Sequence, residues 1–219
     1  MHSGQSLSQY WFKGPKDDME LTPQHDRTIL SLDILGDKCV TSSADHALRV
    51  YSLKSGKCLR NLYNKKFGHT DWVTSCKFLQ DGRVLSAGMD NLLCLWDSKV
   101  IREQKLVGHN STISKIMVDD RNIGISASYD ASLLVWNLDT LECIQGLFNG
   151  HKDAVVEFNW KHSLVVSGDR GGSMAIWDIN TGQPIRMMKQ AHSGHISKIM
   201  FYSDGAENNL VLSTGMKDG

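Results

Sequence analysis

Four residue types recur together along this chain in a fixed phase. His69, Ser86, Asp90 and Trp96 have the same spacing as His109, Ser126, Asp130 and Trp136: aspartate 21 residues after histidine and 6 before tryptophan, serine 4 before aspartate. Serine, histidine and aspartate are the parts of a nucleophilic hydrolase, in which histidine takes the serine proton and the carboxylate orients the ring. Repetition argues against that chemistry, because a hydrolase needs one preorganised triad beside one oxyanion hole, not a copy in every segment. Other sets depart from the pattern. His151, Ser167 and Trp177 are accompanied by Gly171 six before the tryptophan, and Asp169, two residues early, is the carboxylate available to substitute. Upstream, His25 and Asp45 precede Tyr51, whose ring is aromatic and whose hydroxyl can donate. Downstream, His192 and His195 both qualify and no tryptophan follows.

The elements that must position these residues are short. From Gly68 to Asp97 the apolar runs Val73 to Leu79, Val84 to Ala87 and Leu92 to Trp96 are separated by the turn pairs Asp81-Gly82 and Asp90-Asn91. Apolar, β-branched runs cut by Asp, Gly and Asn read as strands joined by tight hairpins. Gly-His opens this stretch and returns at Gly108-His109, Gly150-His151 and Gly194-His195, with steps of 40, 42 and 44 residues between histidines. Gln24-His25 is a degenerate opening. Trp96-Asp97 closes the stretch, and Trp136-Asn137 and Trp177-Asp178 close its copies. A period near 40 accommodates either four strands or a helical pair. Runs this short, interrupted every few residues, favour strands.

Gly-His and Trp-Asp in phase over about Leu21 to Gly219 resemble the WD40-repeat family. The resemblance implies an all-β fold, a β-propeller of WD40 type whose four-stranded blades surround a channel. Four complete blades and a partial fifth are expected, in an incomplete or open ring, with repeats at about 21–62, 63–107, 108–148, 149–190 and 191–219. Residues 1–20 form a separate N-terminal segment, in which Tyr10, Trp11 and Phe12 are placed on a ring-closing strand. Because the fifth repeat stops before a third strand, the sequence is expected to be part of a longer chain, the alternative being a short form that pairs with another chain. The family also implies a role for the recurring polar set. Asp to His, His to Ser and Ser to the Trp N–H make a buried structural network, here His69, Ser86, Asp90, Trp96; His109, Ser126, Asp130, Trp136; and His151, Ser167, Asp169, Trp177.

Composition narrows function by exclusion. Lys+Arg and Asp+Glu balance at 24 each, which removes any general electrostatic drive toward nucleic acid or an anionic membrane. There is no glycine-rich nucleotide fingerprint, no paired metal-ligand spacing and no convergent acid–base pair, so neither catalytic residues, cofactor, metal nor small-molecule substrate is expected. The five cysteines, Cys39, Cys58, Cys76, Cys94 and Cys143, read as small buried hydrophobes in a reducing compartment. The resemblance implies a non-catalytic scaffold that binds other proteins, in the cytoplasm or nucleus. The alternatives are a substrate-recognition subunit, as in a ubiquitin ligase, and a propeller enzyme. Partners of this family commonly dock on the face carrying the Gly-His loops. Matching rim positions are Asp71, Trp72, Met89, Asn110, Ser111, Tyr129, Lys152, Asp153 and Arg170, with Trp72 the sharpest anchor.

Overall fold

A computed structural model describes residues 19–64, 66–203 and 209–217. The N-terminal clasp expected at Tyr10, Trp11 and Phe12 lies outside them. The described chain is all β, built as successive antiparallel meanders. The first sheet is β1 (Ile29–Leu35), β2 (Lys38–Ser43), β3 (Leu48–Ser52) and β4 (Cys58–Asn61). The second is β5 (Val73–Phe78), β6 (Val84–Gly88), β7 (Leu93–Trp96) and β8 (Glu103–Leu106). The third is β9 (Ile113–Val118), β10 (Ile123–Ser128), β11 (Leu133–Asn137) and β12 (Glu142–Leu147). The fourth is β13 (Val155–Lys161), β14 (Leu164–Asp169), β15 (Met174–Asp178) and β16 (Gln183–Met188), and a fifth pairs β17 (Ile196–Ser203) with β18 (Asn209–Gly215).

The turns explain the spacing. The second-to-third-strand turn needs one residue with positive φ, and His46, Asn91, Ala131 and Gly172 supply it in successive sheets. The first strand of each sheet carries a register shift near its start, between Val73 and Ser75 in the second sheet and between Val155 and Glu157 in the fourth. These shifts turn the strand toward its neighbour.

The core lies between sheets. Val40, Leu48 and Val50 of the first sheet pack with Val73, Val84 and Trp96 of the second. Leu85, Leu93 and Leu95 of the second pack with Ile113, Ile116 and Trp136 of the third, and Ile125, Leu133 and Val135 with Phe158, Val165 and Trp177 of the fourth. Each tryptophan therefore packs on the preceding sheet. Middle strands are covered on both faces, which is why β7 and β11 read as unbroken apolar runs. Outer strands face solvent on one side. This corrects the cysteine expectation: Cys39, Cys76 and Cys94 are buried, but Cys58 on β4 is half-buried and Cys143 on β12 is exposed.

Polar groups stitch the inner strands together across the same seams. Thr74 Oγ1 donates to Ile113 O at 2.5 Å and Ser114 Oγ to Val155 O at 2.7 Å, each reaching into the next sheet. Lys115 bonds Glu157 and the carbonyl of Phe158, the latter at 2.8 Å, and Lys77 meets Asp33 at 2.7 Å. The array is not closed among the described residues. Among the described residues Leu32 and Ile34 at one end, and Met200 and Leu212 at the other, remain exposed on open sheet faces.

Sheet-to-sheet burial should carry the stability. Phe158→Ala, at a fully buried position, is expected to lower the unfolding free energy by about 3–5 kcal/mol. Ile144→Ala, on an outer strand and half exposed, should stay within about 0.5 kcal/mol of wild type. Urea titrations of the two variants check this.

Candidate functional site

The recurring polar residues form relays at one end of the sheets. In the second sheet His69 Nδ1 lies 2.9 Å from Asp90 Oδ1 and Nε2 lies 2.8 Å from Ser86 Oγ, while the Trp96 indole N–H donates to Ser86 Oγ at 2.9 Å. In the third sheet His109 reaches Asp130 at 2.9 Å and Ser126 at 2.7 Å, and Trp136 donates to Ser126 at 2.9 Å. The proton arrangement that satisfies every group runs Trp N–H to Ser, Ser O–H to His Nε2, His Nδ1–H to carboxylate. The connectivity of aspartate, histidine and serine matches a hydrolase, but the serine does not face a substrate. Ser86, Ser126 and Ser167 are fully buried, and each hydroxyl oxygen is capped by an indole N–H. The carboxylate also accepts the amide of the residue after histidine, Thr70 at 3.0 Å and Asn110 at 2.9 Å, fixing the loop.

Glycine before histidine has a steric cause. A Cβ at Gly150 would stand 2.2 Å from the Trp177 ring, and one at Gly108 would stand 2.8 Å from the Trp136 ring. In these two sheets the loop backbone lies directly against the tryptophan that caps the serine, leaving no room for a side chain, whereas Gly68 has φ +137° and faces the Tyr63 ring.

The fourth sheet reaches the same end by another residue. His151 bonds Asp169 at 2.9 Å and Ser167 at 2.6 Å, and Trp177 donates to Ser167 at 2.7 Å. Asp169 sits at the end of β14, two residues after the serine, where the second sheet has Gly88. A Cβ at Gly88 would stand 2.6 Å from both His69 Nδ1 and Asp90 Oδ1, so that strand position already points at the imidazole. Strand end and turn are thus two places from which one carboxylate can reach the ring. Asp90 uses the turn and leaves Gly88 bare; Asp169 uses the strand and leaves Gly171 bare.

The first sheet keeps histidine and carboxylate but changes the rest. His25 bonds Asp45 at 2.8 Å and Thr41 at 2.7 Å, so a threonine stands where serine stands elsewhere. Tyr51 does not cap it; its hydroxyl donates to the Pro23 carbonyl at 2.7 Å. Of the two histidines before the fifth sheet, His192 is the one on a serine, with Nε2 2.8 Å from Ser213 Oγ. Sequence reasoning passed over Thr41, Ser132 and the Lys115–Glu157 pair. Ser132 donates to Asp130 at 2.5 Å; the matching position is Leu92 in the second repeat and Ala47 in the first, and only Ser173 of the fourth repeats the serine. Lys115 and Glu157 occupy matching positions of successive repeats, 42 residues apart, and aligning the copies would have exposed their opposite charge.

Charge in the relays follows from burial and bonding. Burial pushes the Asp130 carboxyl up, but hydrogen bonds from Ser132, the Asn110 amide and His109 outweigh it and hold the group below the usual carboxylate range. Asp90 is held low in the same way, by His69 and two backbone amides against its burial. Burial drives the His109 imidazole down, the Asp130 contact only partly opposing it, so the ring is neutral in the fold. Burial also pushes the Cys76 thiol up to about 12, which removes it as a nucleophile. Among the described residues no group of three His, Cys, Asp or Glu could hold a metal.

The rim positions lie at the same end of the sheets. The Met89 amide bonds Trp72 O, Tyr129 bonds Thr112 O and Arg170 bonds Ala154 O, each at 2.9 Å. Their backbones are pinned identically while the side chains differ. Trp72 and Tyr129 are 41% and 42% exposed, and Arg170 is exposed and pairs with Asp153 at 3.2 Å. Met89 and Asp71 are half-buried, Asp71 accepting the Trp72 amide at 2.7 Å. Asn110 is exposed, and Ser111 gives its carbonyl to Ser128 Oγ. Lys152 is exposed with no ion-pair partner among the described residues.

The sequence model described as WD domain, G-beta repeat matches residues 56–97. The human protein called apoptotic protease-activating factor 1 is 24% identical over 205 residues, covering 88% of this chain and 16% of that protein. The rat telomerase protein component 1 is 37% identical over 138 residues, 60% of this chain and 5% of that protein. WD repeat-containing protein 55 of Arabidopsis thaliana is 31% identical over 121 residues, 54% of this chain and 33% of that protein. The chain thus spans a third or less of the length of these relatives.

Three outcomes test the relay. His109→Ala strands Asp130 and Ser126 and should cost about 1–3 kcal/mol, against less than about 0.5 for the exposed neighbour Asn110→Ala. Equal and small losses in calorimetry would refute a stabilising relay. Asp169→Gly should destabilise and Gly171→Asp alone should crowd two carboxylates, whereas the double exchange should recover most of the lost melting temperature. Finally, the folded His109 pKa is below its unfolded value. The unfolded state therefore binds the proton first, and stability is lost as pH falls below about 6.5. The Asp130 contribution, whose folded pKa is also low, is lost only as pH falls further, below about 4. Urea midpoints at pH 7.5 and 5.5 should differ less in His109→Asn than in wild type.

Proposed function

The chain belongs to the WD40-repeat family, and from that premise we propose that it is a non-catalytic scaffold whose loop rim docks peptides or subunits of other proteins. The observation that carries this reading is the pairing of rigid backbone with unlike side chains. Trp72, Tyr129 and Arg170 project from positions whose amides and carbonyls are held by the same bonds in each sheet. Large aromatic and guanidinium side chains on a preorganised frame bury area at low entropic cost, which is how interface anchors work. The catalytic alternative draws no support from the serines, whose hydroxyls are buried and capped. The similarity to a protein called telomerase protein component 1 favours a place in a larger assembly. The unpaired cysteines favour a reducing compartment, cytoplasm or nucleus.

Affinity capture with the immobilised chain tests the rim. Proteins retained by wild type and by the outer-strand variant Ile144→Ala should be lost with Trp72→Ala/Tyr129→Ala, while the melting temperature of the rim variant stays unchanged. Recovery of the same proteins by all three would show that the rim is not the docking surface.

A further inference from the structure

The relocated carboxylate of the fourth sheet has a second consequence, beside the rim position Lys152. A groove of about 470 Å³ opens at the outer edge of this sheet, between the Gly150–Lys152 loop, the turn containing Gly171 and the end of β16. Its apolar lining is three methionines: Met174, which is buried, Met188, its cross-strand partner, and Met187, which is 44% exposed. The third sheet has the same strand pairing but other side chains at the matching positions. There Leu133 pairs with Leu147, both fully buried, and the Phe148 ring lies over Gly146, where a Cβ would meet it at 2.0 Å. The fourth sheet places Met187 and Lys189 at the matching positions. Because Asp169 supplies the relay from the strand, the turn offers only the bare backbone of Gly171, and the groove stays open at that side.

Charge identifies the occupant. Lys152 and Lys189 both line the groove, and neither has an ion-pair partner among the described residues. The nearby acids are engaged: Asp169 is held by His151 and Asp153 by Arg170. Asp169 also makes no bond to the Lys152 amide, whereas in the first three sheets the relay carboxylate accepts the amides of Asp26, Thr70 and Asn110. A polarizable, conformationally adaptable floor with uncompensated cations at its mouth matches one chemistry. We propose that this groove docks an acidic peptide segment of a partner protein, with an apolar side chain on the methionine floor and carboxylates at Lys152 and Lys189. The groove shares Lys152 with the rim but none of Trp72, Tyr129 and Arg170, so it stands whether or not those anchors bind.

The test uses the whole chain labelled with carbon-13 at the methionine methyls. The probe is the capped peptide Glu-Asp-Leu-Phe-Asp-Glu-Leu-Glu, with its Gln/Asn counterpart as control. Titration should shift the methyl signals of Met174, Met187 and Met188 and leave those of Met89 and Met117 in place. Lys152→Glu/Lys189→Glu should weaken binding at least about fivefold, since both cations lining the groove are reversed. Trp72→Ala should not, which separates this site from the aromatic anchors. No methyl shift at millimolar peptide, equal binding of the amide control, or unchanged affinity in the double lysine variant would each overturn the proposal.

Discussion

Four imidazoles of this chain, those of His25, His69, His109 and His151, have been taken out of water, with side chains 1% exposed or less. A buried ring with an unmatched nitrogen is costly, so each must find a donor and an acceptor within a few ångströms. That requirement ties together parts of the chain that are far apart in sequence: the loop carrying histidine, the second strand carrying serine or threonine, and the carboxylate beyond it. In three of the four sheets it adds the third strand, through the indole N–H. Because the tryptophan packs on the preceding sheet, the same bond set that closes one blade also seats it against its neighbour. Hydrogen bonding and apolar burial are therefore coupled here.

What the fold holds constant is the bond pattern rather than the residue at any one position. Asp169 replaces a turn aspartate from the adjoining strand because both positions face the imidazole, as the crowding around Gly88 shows. Thr41 replaces serine because its hydroxyl lies on the same strand position. Tyr51 marks where substitution changes the pattern: the phenol extends beyond the hydroxyl that an indole would reach, and bonds the Pro23 carbonyl instead. The first sheet compensates in part through Arg49, whose guanidinium stands 3.7 Å from Asp45.

Most of the fold was legible because its signals are local. Alternation between apolar runs and Asp, Gly or Asn turns places β5, β6 and β7 within a residue of the runs Val73 to Leu79, Val84 to Ala87 and Leu92 to Trp96. The relay positions were legible because they repeat in phase. Features that cross between sheets left little trace. β8 begins at Glu103, earlier than an apolar run would suggest, since Glu103 is buried and accepts the Gly68 amide. Thr74 and Ser114 bond the next sheet from positions that look like ordinary strand polar residues. The exposure of Cys143 depended on knowing which strand lies outermost, a property of the assembled array and not of its own segment. The groove beside Met187 was likewise invisible, because it results from a side chain moved two residues and from the third sheet's Phe148 having a lysine as its counterpart.

The relays also explain why the loop end can vary so freely. Met89 and Tyr129 immediately precede the relay aspartate, and Arg170 immediately follows it. In each case the amide is fixed to the opposing loop by a bond that does not involve the side chain. Stability is thus set by buried atoms on one side of the turn backbone, and side-chain identity on the other side is nearly free of folding cost. Trp72 stands where the next two sheets have Thr112 and Ala154, three very different volumes on one backbone geometry. A frame that fixes its loops from beneath leaves their outward surface open to specialisation. The Gly171 turn shows the same economy in the opposite direction, where moving one buried carboxylate alters the outer surface while the bonds joining Asp169, His151, Ser167 and Trp177 are kept.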